Sequence, residues 1–164
     1  MGQRYPLHFS AIRRKMVPMM FTHDDPVLVL DEEQSWKLLE NTQHGRIVLS
    51  AAGETDIFPV NYRAHDGVLL MRTAPGTKLA EITINDNVVF EADGILSEEA
   101  WSVVVKGTAR VLDRGQEIAD AEALNLKTWV PTLKDFYVRV DVQRVSGRHF
   151  VFGRHPERNE SQTD

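Results

Sequence analysis

RIVLSAAGETDIFPVNYRAHDGVLLMRT, residues 46–73, decides the fold. It holds three runs of strand length rich in β-branched and aliphatic residues: Arg46–Ala51, Ile57–Arg63 and Val68–Thr73. The breaks between them, Ala52-Gly53-Glu54 and His65-Asp66-Gly67, carry the small and Asx-type residues that reverse a chain within a few positions. Runs joined so tightly pair antiparallel, because a parallel pair needs a crossover of a dozen or more residues. Downstream, Val88–Asp93, Trp101–Leu112 and Phe136–Val145 repeat the pattern. Two helical patterns interrupt them: Thr77–Ile84, with Leu79, Ile82 and Thr83 on one side, and Arg114–Trp129, with Ile118, Ala121 and Leu124 at helical spacing. Upstream, Asp31 caps a helix whose apolar face includes Trp36, Leu38 and Leu39, with Gln34 in the capping-box position and an end near Asn41–Gly45. Hairpin-linked strands with a few helices make a mainly β protein. Six or seven antiparallel strands in so short a chain close most readily as a small barrel, which removes exposed edges.

The chain has 164 residues, no cysteine, and 19 basic against 24 acidic side chains, a formal charge of −5. That length suits one domain, and 42% hydrophobic residues supply a core. No internal repeat or dividing linker is found. The expected organisation is an extended arm over residues 1–30, a barrel domain over 31–152 and a flexible polar tail over 153–164. Lack of cysteine removes disulfide scaffolds, thiolate zinc sites and cysteine nucleophiles. The mild acidity argues against a nucleic-acid binder, and Arg13-Arg14-Lys15 reads as solvated surface. No apolar stretch approaches membrane-spanning length, and the N-terminus lacks a secretory signal pattern. A cytoplasmic protein acting on a small molecule is the expectation.

Several chemistries lack a motif. The histidines at 8, 23, 44, 65, 149 and 155 form no HExxH or HxH, so no metal site is expected. There is no GxSxG elbow, no GxxxxGK[ST] loop and no GxGxxG after a strand.

Three features remain. In the first, a strand ends at Arg72-Thr73, Pro75-Gly76 makes a turn, and a helix begins at Thr77-Lys78. A helix N-terminus exposes unpaired N–H groups, and Arg, Lys and hydroxyl side chains converging there describe a monophosphate site. The same residues also fit a basic surface turn with a Thr cap. In the second, Pro59 within Phe58-Pro59-Val60-Asn61-Tyr62 marks an edge, a bulge or a place where the neighbouring strand has departed. Backbone groups freed there can bond a planar heterocycle, and Asn61 offers a donor and an acceptor; an ordinary edge strand is the alternative. In the third, alternation over Trp101–Val111 sets Ser102, Val104 and Lys106 on one face and Trp101, Val103 and Val105 on the other, until Gly107 permits a bend. Trp101 fits a core or interface anchor, or a wall against a bound ring.

Taken in order, RIVLS, FPVNY, a strand ending in RT, the Gly-x-Lys loop, VVFEAD and WSVVVKGTARVL resemble the pyridoxamine 5′-phosphate oxidase-like, FMN-binding split β-barrel family over about residues 30–150. Order and spacing carry the likeness more than any one motif. The resemblance implies FMN in a groove between two protomers of a homodimer. It places the strand along the isoalloxazine at Val60-Asn61-Tyr62, the strand-end pair at Arg72-Thr73 and the phosphate lysine at Lys78. The polar residue five positions before the strand glycine, Gln in the true oxidases, falls on Ser102, and Trp101 joins the expected cofactor-binding set.

The chain also departs from the true oxidases. Gly76-Thr77 stands where they carry Ser-Arg, the preceding loop is one residue shorter, and Arg148-His149 and Arg154-His155 lack their Arg-x-His spacing. Those departures argue against pyridoxamine phosphate oxidation. What the resemblance implies is an FMN-dependent oxidoreductase of small molecules with no nameable catalytic acid or base. A deazaflavin-dependent reductase and a non-catalytic flavin- or haem-binding protein are the alternatives within the same superfamily.

Overall fold

The computed structural model describes residues 26–126 and 135–153. Both short turns of the decisive stretch reverse the chain as the sequence requires: Ala52 and Gly53, then Asp66 and Gly67, all take positive φ. Two consecutive residues with positive φ match the right-handed strand twist, which is why such hairpins close tightly. They join β2 (His44–Ala51) to β3 (Glu54–His65) and β3 to β4 (Val68–Thr73). The other elements are β1 (Val27–Leu30), α1 (Glu32–Glu40), α2 (Thr77–Ile84), β5 (Asn87–Ile95), β6 (Glu99–Val111), α3 (Gly115–Ala123) and β7 (Phe136–Val151).

The seven strands lie in the order β1-β7-β4-β3-β2-β5-β6, and β6 pairs back onto β7. Every pairing is antiparallel. The sheet thus closes into the expected split barrel. Two long strands make this possible by changing partner along their length. β3 pairs with β2 over Glu54–Asn61 and with β4 over Tyr62–His65. β7 pairs with β4 over Phe136–Asp141 and with β1 over Gly147–Phe150, while β6 runs along its other side. The β6–β7 register shifts at Lys106/Gly107. A Cβ at Gly107 would collide with the Asp141 carbonyl, so the bend there requires glycine.

Alternate side chains fill the barrel. Ile47, Leu49, Tyr62, Leu69, Met71, Phe90, Val103, Val105, Val138 and Val140 are all fully buried in one cluster. The opposite face of β4 and β7 supplies a second cluster, in which Leu70 and Tyr137 meet Leu112 and Ala121 beneath α3. α1 has the expected capping box: the Gln34 backbone N–H donates to Asp31 and the Gln34 side chain accepts from the Asp31 N–H, both at 2.8 Å.

Three expectations need correction. Val27–Leu30, read as part of an arm, is β1, so the sheet begins before residue 31. Four apolar residues ending at a helix cap show no alternation that a local pattern can catch, and their partner, Gly147–Phe150, is remote in sequence. β7 continues past Val145 to Val151. The helix expected over Arg114–Trp129 spans Gly115–Ala123, and residues 127–129 lie outside the described residues. The expectations for residues 1–25, including Arg13-Arg14-Lys15, and for the tail from 154 onward also lie outside them.

Candidate functional site

The register shows where β3 loses a neighbour. Pairing of β3 with β4 ends at Tyr62↔Met71, and beyond it Arg72 and Thr73 register only with Tyr137 and Phe136 of β7. Pro59, Val60 and Asn61 therefore lie along β2 without β4 on their other flank. This is the departure that the Pro59 signal anticipated. Val60 and Tyr62 turn their side chains into the core, and the Tyr62 N–H donates to the Gln43 carbonyl at 3.0 Å. The Tyr62 hydroxyl donates to the Leu39 carbonyl at 3.0 Å, and its ring meets Phe90 edge-on with 4.6 Å between centroids. Burial pushes the phenol far above its ordinary value, so it stays a neutral donor. Asn61 points the other way, where its amide reaches the Gln43 carbonyl at 3.4 Å.

α2 begins just past the end of β4. Its N-cap, Gly76, has φ 154° and offers no side-chain cap. The alternative of a Thr-capped turn fails, because Thr77 is already inside the helix and the first-turn N–H groups have no side-chain acceptor at the cap. Lys78, one residue on, holds its ammonium 5.3 Å from the centre of the Phe58 ring, which brings a cation beside the β3 flank. The Arg72 guanidinium lies 5.1 Å from the Tyr137 ring centre.

The structure separates one pair that the sequence was expected to bring together. Successive residues of a strand point to opposite faces. Arg72 lies with Leu70 on the face that carries Tyr137, whereas Thr73 is buried and follows Met71 inward. The Thr73 hydroxyl donates locally to the Ala74 carbonyl at 3.2 Å. Arg72 and Lys78 thus provide the cationic character, and Thr73 shapes the turn between them.

Trp101 and Ser102 also diverge. Trp101 is buried in the barrel, with its indole against Gly94 so closely that a Cβ at Gly94 would overlap the ring. It is the core anchor and not a wall. Ser102 is half-buried on the outer face, in register with Asp93 on one side and Arg148 on the other. Arg148 escaped the sequence reading as a neighbour of Ser102 because their pairing spans the barrel closure. The same face carries Arg46, which bonds Glu91 at 3.0 Å and Asp93 at 3.1 Å. A second feature that the sequence hid is buried His149, whose Nε2 lies 2.9 Å from a Glu99 carboxylate oxygen. Among the described residues no group of three or more His, Cys, Asp or Glu could hold a metal ion, and no helix is long and apolar enough to cross a membrane.

A split antiparallel barrel with a vacated β3 flank and a basic helix N-terminus is the architecture of a known protein class. Residues 31–149 match the pyridoxamine 5′-phosphate oxidase family, and the chain belongs to it. An uncharacterised Mycobacterium tuberculosis protein is 42% identical over 93 residues, covering 57% of this chain and 84% of its own. The structure of a candidate pyridoxamine 5′-phosphate oxidase from Corynebacterium glutamicum is similar at 42% identity and a TM-score of 0.75, over 82% of this chain and all (100%) of that one. The structure of the FAD binding protein from Mycobacterium smegmatis is similar at 39% identity and a TM-score of 0.65, over 76% and 98% of the two chains.

Proposed function

We propose that the chain binds a flavin along the β3 flank and around the N-terminus of α2, and works as a flavin-dependent oxidoreductase on a small molecule. The observation that carries this is the parting of β4 from β3 after Tyr62↔Met71, beside a helix start that has no side-chain cap. A flavin needs a hydrogen-bonding edge for its planar ring and a cationic end for its phosphate. The residues present fit both needs. The backbone of Pro59–Asn61 lacks β4 on one flank and can meet ring heteroatoms, while Lys78, Arg72 and the first-turn N–H groups of α2 can hold a phosphate. Ser102, with Arg148 beside it, supplies polar groups on the outer face of β6. Bound flavin would supply the redox chemistry, and the chain would supply orientation, access and electrostatics.

FMN is the expected cofactor; the similarity to an FAD binding protein makes FAD its direct competitor, with a deazaflavin third. A homodimer is part of the same reading. Half-buried Val48, Val89 and Val104 sit on the outer face, flanked by the Arg46–Glu91–Asp93 cluster and by Lys106, Arg144 and Arg148. A twofold axis through such a face would bury the valines of both protomers within a rim of charged side chains.

The test is direct. Purified protein should be yellow or take up added flavin, and the nucleotide released on denaturation identifies FMN or FAD by chromatography. Anaerobic bleaching by NAD(P)H separates an enzyme from a carrier, and sedimentation gives the oligomeric state. Colourless protein that takes up neither FMN, FAD nor a deazaflavin overturns the reading.

A further inference from the structure

Strand alternation turns Val68 and Leu70 of β4 outward, beside Asp141 and Arg139 of β7. α3 packs on this face through Ala121, which joins Leu70, Leu112 and Tyr137 in the second buried cluster. A helix of nine residues leaves part of the face uncovered, and between α3 and the β3–β4 hairpin it opens as a cavity of about 330 Å³. Val68, Leu70 and Leu112 give the cavity an apolar floor, and Ala121 and Leu124 line it from the helix side. Leu70 and Leu112 are each 7% exposed, so packing has already fixed the floor and an apolar group can enter without rearranging it. An aliphatic cavity of this size, edged by a few polar groups, matches a small-molecule site.

The polar edge is unbalanced in charge. Arg139 donates to Asp141 at 2.7 Å and Glu117 accepts from Arg110 at 3.1 Å, so both of these lining residues are already neutralised by an opposite charge. Two carboxylates are left. Asp66, on the hairpin turn, lies 3.2 Å from the His65 imidazole, and Asp120, on α3, accepts from the Gln116 amide at 2.9 Å. Neither meets a lysine or an arginine among the described residues. Two acids from different elements therefore border one apolar cavity with no Lys or Arg counter-charge.

A molecule with an apolar body and one cationic head answers both the floor and the edge. An anion would be repelled by the two acids, and a neutral apolar molecule would leave them unmatched. We propose that this cavity binds a small primary amine, its apolar body against Leu70, Leu112 and Leu124 and its ammonium at the mouth beside Asp66 and Asp120. The body supplies most of the affinity by burial, while the exposed carboxylates supply a modest, salt-sensitive preference for the cation. Among the described residues no group of His, Asp or Glu could hold a metal ion, so the acidic edge suits an organic cation. Pro59–Asn61, Arg72 and Lys78 take no part in the cavity, which makes this proposal independent of the flavin reading.

The experiment titrates full-length protein at neutral pH with three probes of similar size, 2-phenylethylamine, 2-phenylethanol and 3-phenylpropanoate, followed by amide chemical shifts in two-dimensional NMR. The amine should shift the amides of Asp66, Asp120 and Leu124 and bind about two- to tenfold more tightly than the alcohol at low salt, with the carboxylate weakest. High salt should remove the amine's advantage. Asp66 and Asp120 are exposed, so the double variant Asp66→Asn/Asp120→Asn should fold normally and bind amine and alcohol alike. Equal affinity for amine and alcohol in the parent, a preference that survives in the double variant, shifts that map away from the cavity, or no shift at millimolar amine each overturns the proposal.

Discussion

Asn61 and Tyr62 are adjacent in β3 yet belong to different strand pairs: Asn61 is in register with His44 of β2, and Tyr62 with Met71 of β4. The barrel splits between them. Tyr62 closes the intact side by reaching into the core and donating its hydroxyl to Leu39 of α1. Removing that hydroxyl deletes one bond to the Leu39 carbonyl, which keeps the Thr42 N–H at 3.3 Å, and costs about 1 kcal/mol. Tyr62→Phe should lower stability by that order in urea denaturation. Flavin affinity should barely change, because the hydroxyl points into the core and away from the vacated flank at Pro59–Asn61. A large loss of affinity at unchanged stability would place the hydroxyl in the ligand site instead.

Arg72 and Lys78 reach the proposed phosphate from different elements, β4 and α2, and rest on different rings, Tyr137 and Phe58. Each would remove one charge-assisted contact when truncated. Arg72→Ala and Lys78→Ala are each expected to weaken FMN binding by about 1–3 kcal/mol. Because both would contact the same phosphate, the double variant should depart from the sum of the two single losses. Fluorescence titration of all three proteins checks this, and unchanged affinity in both single variants would move the phosphate elsewhere.

Local chemistry made most of this architecture legible. Both hairpin turns, the α1 capping box and the extent of α2 follow from residues within a few positions of one another. What escaped depends on distant partners. β1 exists because Gly147–Phe150 is there to receive it, and β7 outruns its expected end because β6 lies alongside to Glu99. The site divides in the same way. Pro59 revealed the vacated flank, since a missing N–H has a local meaning. The divergence of Arg72 from Thr73 was available from strand alternation, whereas the Ser102–Arg148 neighbourhood needed the closed barrel.

Trp101 tests the assignment of that residue to the core. Its indole packs on Gly94, where any Cβ would overlap the ring. In a core already filled, a new methyl group forces shifts that cost about 1–3 kcal/mol. Gly94→Ala should therefore destabilise the protein by that amount in urea denaturation and alter tryptophan fluorescence in the native state. A neutral Gly94→Ala would mean that the ring has room to move, as a wall against a ligand would need.

α3 should lose stability in acid. Glu117 accepts from Arg110 at 2.5 and 3.1 Å, and that hydrogen bonding, opposed by partial burial and helped by the Arg110 charge, holds its carboxyl below the ordinary value of 4.5. A group lowered in the folded state stabilises above its unfolded value and loses that contribution as pH falls through its folded value. Native protein should thus be more stable than Glu117→Gln at neutral pH, with the gap closing under acid conditions. Arg110 is partly exposed, so added salt should narrow the neutral-pH gap as well. Urea midpoints for the two proteins across acid pH, at low and high salt, measure both effects. A gap that persists in acid would mean that Glu117 holds α3 by packing and not by charge.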